Sequence, residues 1–524
     1  MVRGTPLAQM PVMPESYWLS STPLPKYPAL DHSRFADVVV IGAGVTGLTA
    51  AYLLKQAGLK VVVLDRRTVA SGDTGHTTAH LTCVTDTWLM ELIRAIGEDH
   101  ARAVWDAGLA AIWQIAEIVD AERISCGLSW VPAYLHAPPD GEFTESDVER
   151  LREEAQAAAN LGFDATFVER APVVDAPAVE FAGQARFHLT RYLKELAARV
   201  DGDGSAIFEH TDAHSVEDDP LTVVAGSYRL RCNNVFVATH NPIVGKASLL
   251  KATLLQTKLS LYSTYVVAGR AERDQVFDAL YWDTATAYRY LRLDRQRDGD
   301  LVILGGEDHK TGQVSETSAC YEALERAAVR LVPGIELSHR WSGQVIETSD
   351  GLPFIGEISP HQFIATGFNG NGVTFGTLSA MIVRDAITGR ANPWRGLFDV
   401  NRSGVLRGFW DYLKENKDYP YYLIRDRFAG AQGKTTRALA RGKGKILELD
   451  GTRVAAYRHE NGRVTLLSLA CTHMGCQVVW NDAEATWDCP CHGSRFTATG
   501  DVIGGPAESP LDEITAKVAA KAGQ

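Results

Sequence analysis

The stretch from Asp37 to Asp65 constrains the fold more than any other. Asp37–Ile41 (DVVVI) is a short apolar run suited to a buried parallel strand. GAGVTG follows, with Gly42, Gly44 and Gly47, and then LTAAYLLKQAG, whose Leu48, Ala51 and Tyr52 share one helical face before Gly58 stops it. A second apolar run, KVVVLD, ends in Asp65, 18 residues past Gly47. Strand, glycine turn, helix, strand and acid in this order form the unit that receives a dinucleotide. The first glycine allows the tight turn, the second lets a pyrophosphate approach the backbone, and the third lets helix and strand pack closely. The helix N-terminus turns its partial positive charge to the phosphates, and the acid is placed to accept from a ribose hydroxyl. The competing reading, a tight turn without a ligand, explains the glycines but not the acid.

The fingerprint does not separate FAD from NAD. The text after Asp65, RRTVASGDTGHTTAHLT, resembles the segment that wraps FAD in the D-amino-acid oxidase-like flavoprotein superfamily. Four later segments resemble the same family: AGQARFHLTRYLKELA (182–197), NNVFVATH (233–240), RWSGQVIETSDGLPFIG (340–356) and FIATGFNGNGVTFG (363–376). The resemblance spans roughly residues 36 to 400. It implies FAD as cofactor, held by Gly42, Gly44, Gly47, Asp65, Arg66, His76, Thr77, Thr239, Gly367, Asn369, Gly370 and Gly372. In dimethylglycine and sarcosine dehydrogenases of that superfamily a His after Ser-Gly binds the flavin covalently. His76 stands at that offset from Ser71-Gly72, but Gly75 replaces the family's tryptophan. A histidine that only packs near FAD is the alternative.

Residues 84–175 read as largely helical, and residues 250–310 as alternating strands (KLSLYSTYVVAG, AYRYLRLD, DLVILGGEDH). In the family such a sheet roofs the flavin and lines the substrate pocket. Here it carries Tyr281, Trp282, Tyr288, Arg289, Tyr290, Arg292, Glu307 and His309. Strand alternation puts Tyr288, Tyr290 and Arg292 on one face and Arg289 on the other. An Arg beside aromatics suits an amino-acid-like substrate whose carboxylate it would pair bidentately. Arg292 and His309 are the preferred catalytic pair, and Glu307 is expected to be a structural ion-pair partner.

After about Arg402 the flavoprotein pattern ends. GVLRGFWDYLKENKDYP suggests a linker helix to about Lys417, stopped before Pro420. From about Arg437 short alternating strands take over, with Asp450-Gly451 and Asn461-Gly462 marking hairpins. Cys471 to His492 then offers a Cys-x-His pair and a Cys-Pro-Cys-His run inside 22 residues, with four of the chain's eight cysteines. A Cys₂His₂ zinc site is chemically conceivable. The boxes CTHMGC and CPCHGS resemble those of a Rieske [2Fe–2S] domain. That resemblance implies Cys471, His473, Cys489 and His492 as cluster ligands, two thiolates on one iron and two imidazoles on the other. It also implies a Cys476–Cys491 disulfide tying the two ligand loops, Ser494 as a donor to cluster sulfur, and Gly505-Pro506-Ala507 as a covering loop. Phe496 stands where a tyrosine donor is common. The potential is therefore expected inside the range of about −150 to +300 mV, below its top.

The expected fold class is α/β plus all-β: a Rossmann-type FAD-binding domain with an antiparallel-sheet substrate domain, then a small Rieske β domain. The expected division is an arm over 1–35, the oxidoreductase over 36–400, a linker helix over 401–432 and the Rieske domain over 433–520. Within the oxidoreductase, the FAD-binding segments are about 36–83, 180–245 and 340–395, and the substrate domain is about 84–179 and 246–339. A net charge of −12 argues against nucleic-acid or anionic-membrane partners. No apolar run approaches a membrane span and the Pro-rich arm is not a secretory signal, so a cytoplasmic location is expected. The remaining cysteines (Cys83, Cys126, Cys232, Cys320) are scattered and read as free thiols.

The function expected from these parts is oxidation of an amine or amino-acid-like substrate by hydride transfer to FAD. Electrons would leave singly through the cluster to an external acceptor. Two alternatives remain: a reductase feeding a partner oxygenase, for which no second GxGxxG is found, and a cluster domain acting as redox sensor or docking module.

Overall fold

The computed structural model describes residues 15–139, 143–241, 258–314, 316–402, 436, 439–449, 451–473 and 475–514. The expected linker helix falls almost wholly outside the described residues. Among them, no helix is long and apolar enough to cross a membrane.

Two large sheets organise the first part of the chain. In one, Arg34–Ile41 runs parallel to Val61–Leu64 on one side and to Tyr228–Val237 on the other, with Ala206–Phe208 and Gln362–Thr366 continuing outward. The helix Val45–Gln56 crosses between the first two strands. Ten of its twelve residues, Val45 to Leu54, are buried, as expected of a helix apolar on every side. In the second sheet the order is Glu336–Thr348, Leu259–Ala271, Gly299–Lys310, Tyr290–Gln296, Leu280–Asp283, Ser129–His136, Ala178–Arg186 and Ala165–Val168. Helices Leu89–Ile96, Glu98–Ala121 and Glu145–Asn160 fill much of the expected helical region, though Ser129–His136 and Ala165–Val168 there are strands.

The N-terminal arm goes deeper than a surface strap. Ser16 caps the short helix Tyr17–Ser21, and Trp18 is fully buried. The Trp18 indole donates to the Thr77 carbonyl at 2.6 Å and the Tyr17 hydroxyl to Asp294 at 2.6 Å. Burying an indole of this size with its N–H satisfied ties the arm to the segment at Thr77, and the Tyr17 bond ties it to the second sheet at Asp294.

The last part is all β. Lys443–Leu449, Thr452–Arg458 and Val464–Ser468 form a three-stranded meander. Its turns carry Gly451 (φ +78) and Gly462 (φ +90) where the Asp-Gly and Asn-Gly pairs predict them. A second antiparallel sheet, Val479–Asn481, Thr486–Asp488, Arg495–Thr497 and Val502–Gly504, presents the cysteine- and histidine-bearing loops.

Candidate functional site

A cavity of about 450 Å³ opens where the two sheets meet. Its lining runs from Gly42, Gly44, Asp65 and Arg66 past His76, Thr77 and Thr239 to Asn369, Gly370 and Gly372. Ten of the twelve residues expected at FAD therefore converge on one space. Gly47 and Gly367 are not among them. A Cβ at Gly47 would lie 1.9 Å from the Gly42 carbonyl oxygen, so this glycine permits the turn to close on its own helix. Gly367 (φ +72) makes a turn in which a Cβ would stand 2.3 Å from Thr348 Cγ2. Gly42 (φ +108) and Gly44 leave no room for a side chain either: a Cβ would meet the Ala238 carbonyl oxygen at 2.6 Å or Thr74 Oγ1 at 2.7 Å. At Gly372, which starts the helix Gly372–Thr388, a Cβ would meet nothing within 4 Å. That helix N-terminus thus opens on the cavity with its dipole.

The Asp65 carboxylate accepts from the Ala43 and Arg67 backbone N–H groups, each at 2.8 Å. Burial raises its pKa, and those two N–H bonds oppose the rise. A carboxylate has further lone pairs to offer a ribose hydroxyl. At Asp73 burial again favours the neutral acid, but His240, whose Nδ1 lies 2.8 Å away, outweighs it and holds the carboxyl near 2. His76 sets Nδ1 2.9 Å from the Gly72 carbonyl, and its own carbonyl accepts from the Trp341 indole at 2.9 Å. A Cβ at Gly75 would lie 2.4 Å from the Ala70 carbonyl oxygen, so no tryptophan fits at that place in this fold. Shape, glycine placement and the acid together fit FAD.

Of the expected catalytic pair, neither Arg292 nor His309 lines the cavity. Arg292 is fully buried and donates to the carbonyls of Ala79 (2.6 Å), Phe187 (3.0 Å), Thr78 and Leu293 (each 3.4 Å). Its guanidinium is spent tying strands together. His309 lies against Tyr265, whose hydroxyl is 3.0 Å from Nε2, and sets Nδ1 2.9 Å from the Lys310 carbonyl. Glu307 does pair with Arg289, at 2.8 Å. The second sheet and its connections bring Thr264, Trp282, Tyr288, Tyr290 and Asp308 to the cavity, with Gln344 and its neighbours on strand Glu336–Thr348, and His80 and Asp86 face them. Asp308 and Asp86 escape a sequence reading. Asp308 sits between two residues that look more reactive, and Asp86 lies outside every recognised motif.

In the cluster loops Cys471 and Cys489 are both buried and their thiols interact directly. The His473 and His492 rings face each other with centroids 4.9 Å apart, nearly perpendicular. His473 Nδ1 is buried without a hydrogen-bond partner. Sulfur with sulfur and imidazole with imidazole is the division a Rieske centre requires, and the orphaned nitrogen is a ready ligand atom. Cys476 and Cys491 form a disulfide with Cα atoms 6.5 Å apart, which ties the two loops. Ser494 is fully buried, and its Oγ accepts from the Ala507 N–H at 3.1 Å, leaving its own hydrogen to donate. Gly505 closes on the same loop: a Cβ there would lie 2.5 Å from Ser494 Cα. These residues fit a [2Fe–2S] cluster.

The cluster loops lie directly on the cavity-bearing part of the chain. A Cβ at Gly312 would stand 2.7 Å from the Pro490 nitrogen, and one at Gly493 2.5 Å from Leu261 Cβ. Glu484 accepts from the Tyr321 hydroxyl at 2.5 Å and from Ser342 at 2.6 Å, and Thr317 donates to Asn481 at 2.7 Å. Arg66 donates to the Ile503 carbonyl at 3.2 Å. Ile503, Gly504, Gly505, Ala507, Glu508 and Ser509 complete the cavity wall.

A family model described as FAD dependent oxidoreductase matches residues 37–386, and one described as Rieske [2Fe-2S] domain matches residues 434–515. The chain is 33% identical over 512 residues to YhfW of Bacillus subtilis, described as a Rieske 2Fe-2S iron-sulfur protein; the match covers 96% of this chain and 97% of that protein. In fold it is similar to glycine oxidase from Geobacillus kaustophilus (TM-score 0.57, 19% identity, 70% of this chain and 99% of that one). It is similar also to L-proline dehydrogenase from P. horikoshii (TM-score 0.56, 16% identity, 71% and 98%).

Proposed function

Since the chain belongs to the FAD dependent oxidoreductase family and joins to it a Rieske [2Fe-2S] domain, we propose that it oxidises an amine or amino-acid-like substrate and sends the electrons through the cluster to an external acceptor. FAD held along the cavity would supply a hydride acceptor, taking the hydrogen and two electrons of a substrate C–H bond as a C=N bond forms, and a [2Fe–2S] centre on Cys471, Cys489, His473 and His492 would supply a one-electron acceptor beside it. Water then adds to the released imine, giving a carbonyl compound and an amine.

The chain's own residues have three tasks in this reading. The turn Gly42–Gly47 and Asp65 hold the dinucleotide. The wall of Trp282, Tyr288 and Tyr290 excludes water and orients the substrate. The contacts of Gly312, Leu261 and Gln344 with residues 490–493 keep the cluster loops against the cavity. The single observation that carries the relay is this last one: the loop bearing Cys489 and His492 packs on residues that line or adjoin the cavity. The glycine oxidase and L-proline dehydrogenase of similar fold are named for amine substrates, which supports the amine class.

Anaerobic mixing tests it. An amine is expected to bleach the flavin and NADH to leave it oxidised. Prompt reduction by NADH would instead favour the reductase that feeds a partner oxygenase. Bleaching with a permanently oxidised cluster would favour a sensor or docking role for the Rieske domain.

A further inference from the structure

The wall that the second sheet gives the cavity is built for a cation. Trp282, Tyr288 and Tyr290 line it together with Asp308, and Asp86 faces them. Among the described residues lining the cavity there is no lysine, and its two arginines, Arg66 and Arg67, lie with Asp65 at the dinucleotide end. The arginines nearest the sheet are committed elsewhere: Arg292 to four carbonyls, Arg289 to Glu307. His80 lines the wall, but burial and the neighbouring Arg292 pull its pKa down to about 3, so its ring is neutral. A substrate carboxylate would therefore meet two carboxylates and no counter-charge here.

The carboxylates differ in what they already do. Asp86 accepts from the Gly370 N–H at 2.6 Å and from the Tyr288 hydroxyl at 3.5 Å, so it is partly occupied in holding the Gly370 turn. Thr264 and Tyr290 hold each other's hydroxyls at 2.5 Å. Asp308 Oδ1 is buried and has no hydrogen-bond partner. A buried acceptor left open is destabilising, and a ligand donor relieves that cost. The aromatic faces around it favour a cation further.

We propose that Asp308 binds a cationic nitrogen of the substrate, which makes the substrate an aliphatic diamine with no carboxylate beside the reacting carbon, rather than an α-amino acid. The inference rests on the amine-oxidation reading above and assigns its substrate class. The neutral amine end loses hydride at its carbon, as already described; the distal ammonium keeps its proton and charge against Asp308.

The test uses the holoenzyme under anaerobic conditions, with flavin bleaching titrated by 1,4-diaminobutane, butylamine, 4-aminobutanoate and glycine. The diamine is expected to reduce the flavin at concentrations roughly tenfold or more below the other three, the scale of a hydrogen bond to a charged group. Asp308→Asn is expected to cut the preference for diamine over butylamine by roughly tenfold, and Asp308→Glu to retain most of it. Bound flavin, measured for each variant, shows that the fold survives. Glycine or 4-aminobutanoate acting as well as the diamine, or an unchanged preference in Asp308→Asn, overturns the assignment. Failure of the amine reading itself looks different: dithionite bleaches the flavin and none of the four amines does.

Discussion

Gln344 donates its side-chain N–H to the Gly493 carbonyl at 2.8 Å, joining two residues 149 positions apart. Gln344 lines the cavity, and Gly493 follows His492 in the cluster loop. One side chain thus touches the space for the two-electron chemistry and the loop for the one-electron chemistry. Gln344→Leu keeps the shape but leaves that carbonyl without its donor, at a cost of about 1–3 kcal/mol to the docked arrangement. The reduced-cluster EPR signal is expected to trail flavin bleaching by a longer interval than in wild type, and Gln344→Asn to shorten that lag. An interval identical to wild type in Gln344→Leu would remove Gln344 from the path.

The dinucleotide turn makes a sharper demand. Because a Cβ at Gly47 would stand 1.9 Å from the Gly42 carbonyl oxygen, Gly47→Ala must push the helix Val45–Gln56 off its strand. Overpacking of this kind costs about 1–3 kcal/mol or more, and here it falls on the phosphate-binding turn itself. The variant is expected to purify with little or no flavin; a full complement would show that the turn relaxes freely.

Removing a cluster ligand separates the two centres. Cys489→Ser is expected to abolish the cluster's visible absorbance while flavin stays bound, since the glycine turn and Asp65 lie in the other part of the chain. Residues 503–505 and 507–509 also line the cavity, so the flavin is expected to be held more loosely, with faster loss on dialysis. Immediate loss of both chromophores would contradict separate cofactor sites.

Asp308 makes the protein's stability depend on pH. Burial pushes its carboxyl up to about 7, Asp86 and Glu307 push the same way, and the Thr264 hydroxyl opposes. Tyr288, Tyr290 and His80 also face Asp308 and Asp86; burial holds both tyrosines protonated and His80 neutral. A carboxyl with a folded pKa above its unfolded value of 3.8 takes up a proton on folding between the two. Its contribution is therefore fullest below the unfolded value and is lost as pH rises through about 7. Urea unfolding at pH 5 and pH 8 should show lower stability at pH 8 from this group, and Asp308→Asn should shrink the difference; an unchanged difference contradicts the assignment. Amine binding should run the other way and strengthen as Asp308 ionises.

Much of this is legible in the sequence because the decisive residues lie close together along the chain. The turn at Gly42–Gly47 with Asp65, and the ligand boxes of Cys471–His492, are local motifs whose spacing carries their chemistry. The substrate wall is not local. Strand alternation puts Arg292 on the face of Tyr290, but it cannot show that the carbonyls of Ala79 and Phe187 wait there, or that Trp18 of the arm lies over the guanidinium, 5.4 Å from ring centre to Cζ. Asp308 gains its meaning only from neighbours on other strands, Thr264 and Tyr290, and from Asp86 across the cavity. The docking of the cluster loops is written in single glycines, Gly312 and Gly493, that have no pattern of their own.

On the proposed reading, electrons entering at the cavity leave through the cluster. Freeze-quenched samples of the holoenzyme, mixed anaerobically with the amine that bleaches its flavin, test it most directly. The flavin is expected to bleach first, and the reduced-cluster EPR signal then to grow in within the same turnover. A flavin that stays bleached while the cluster remains EPR-silent would contradict it.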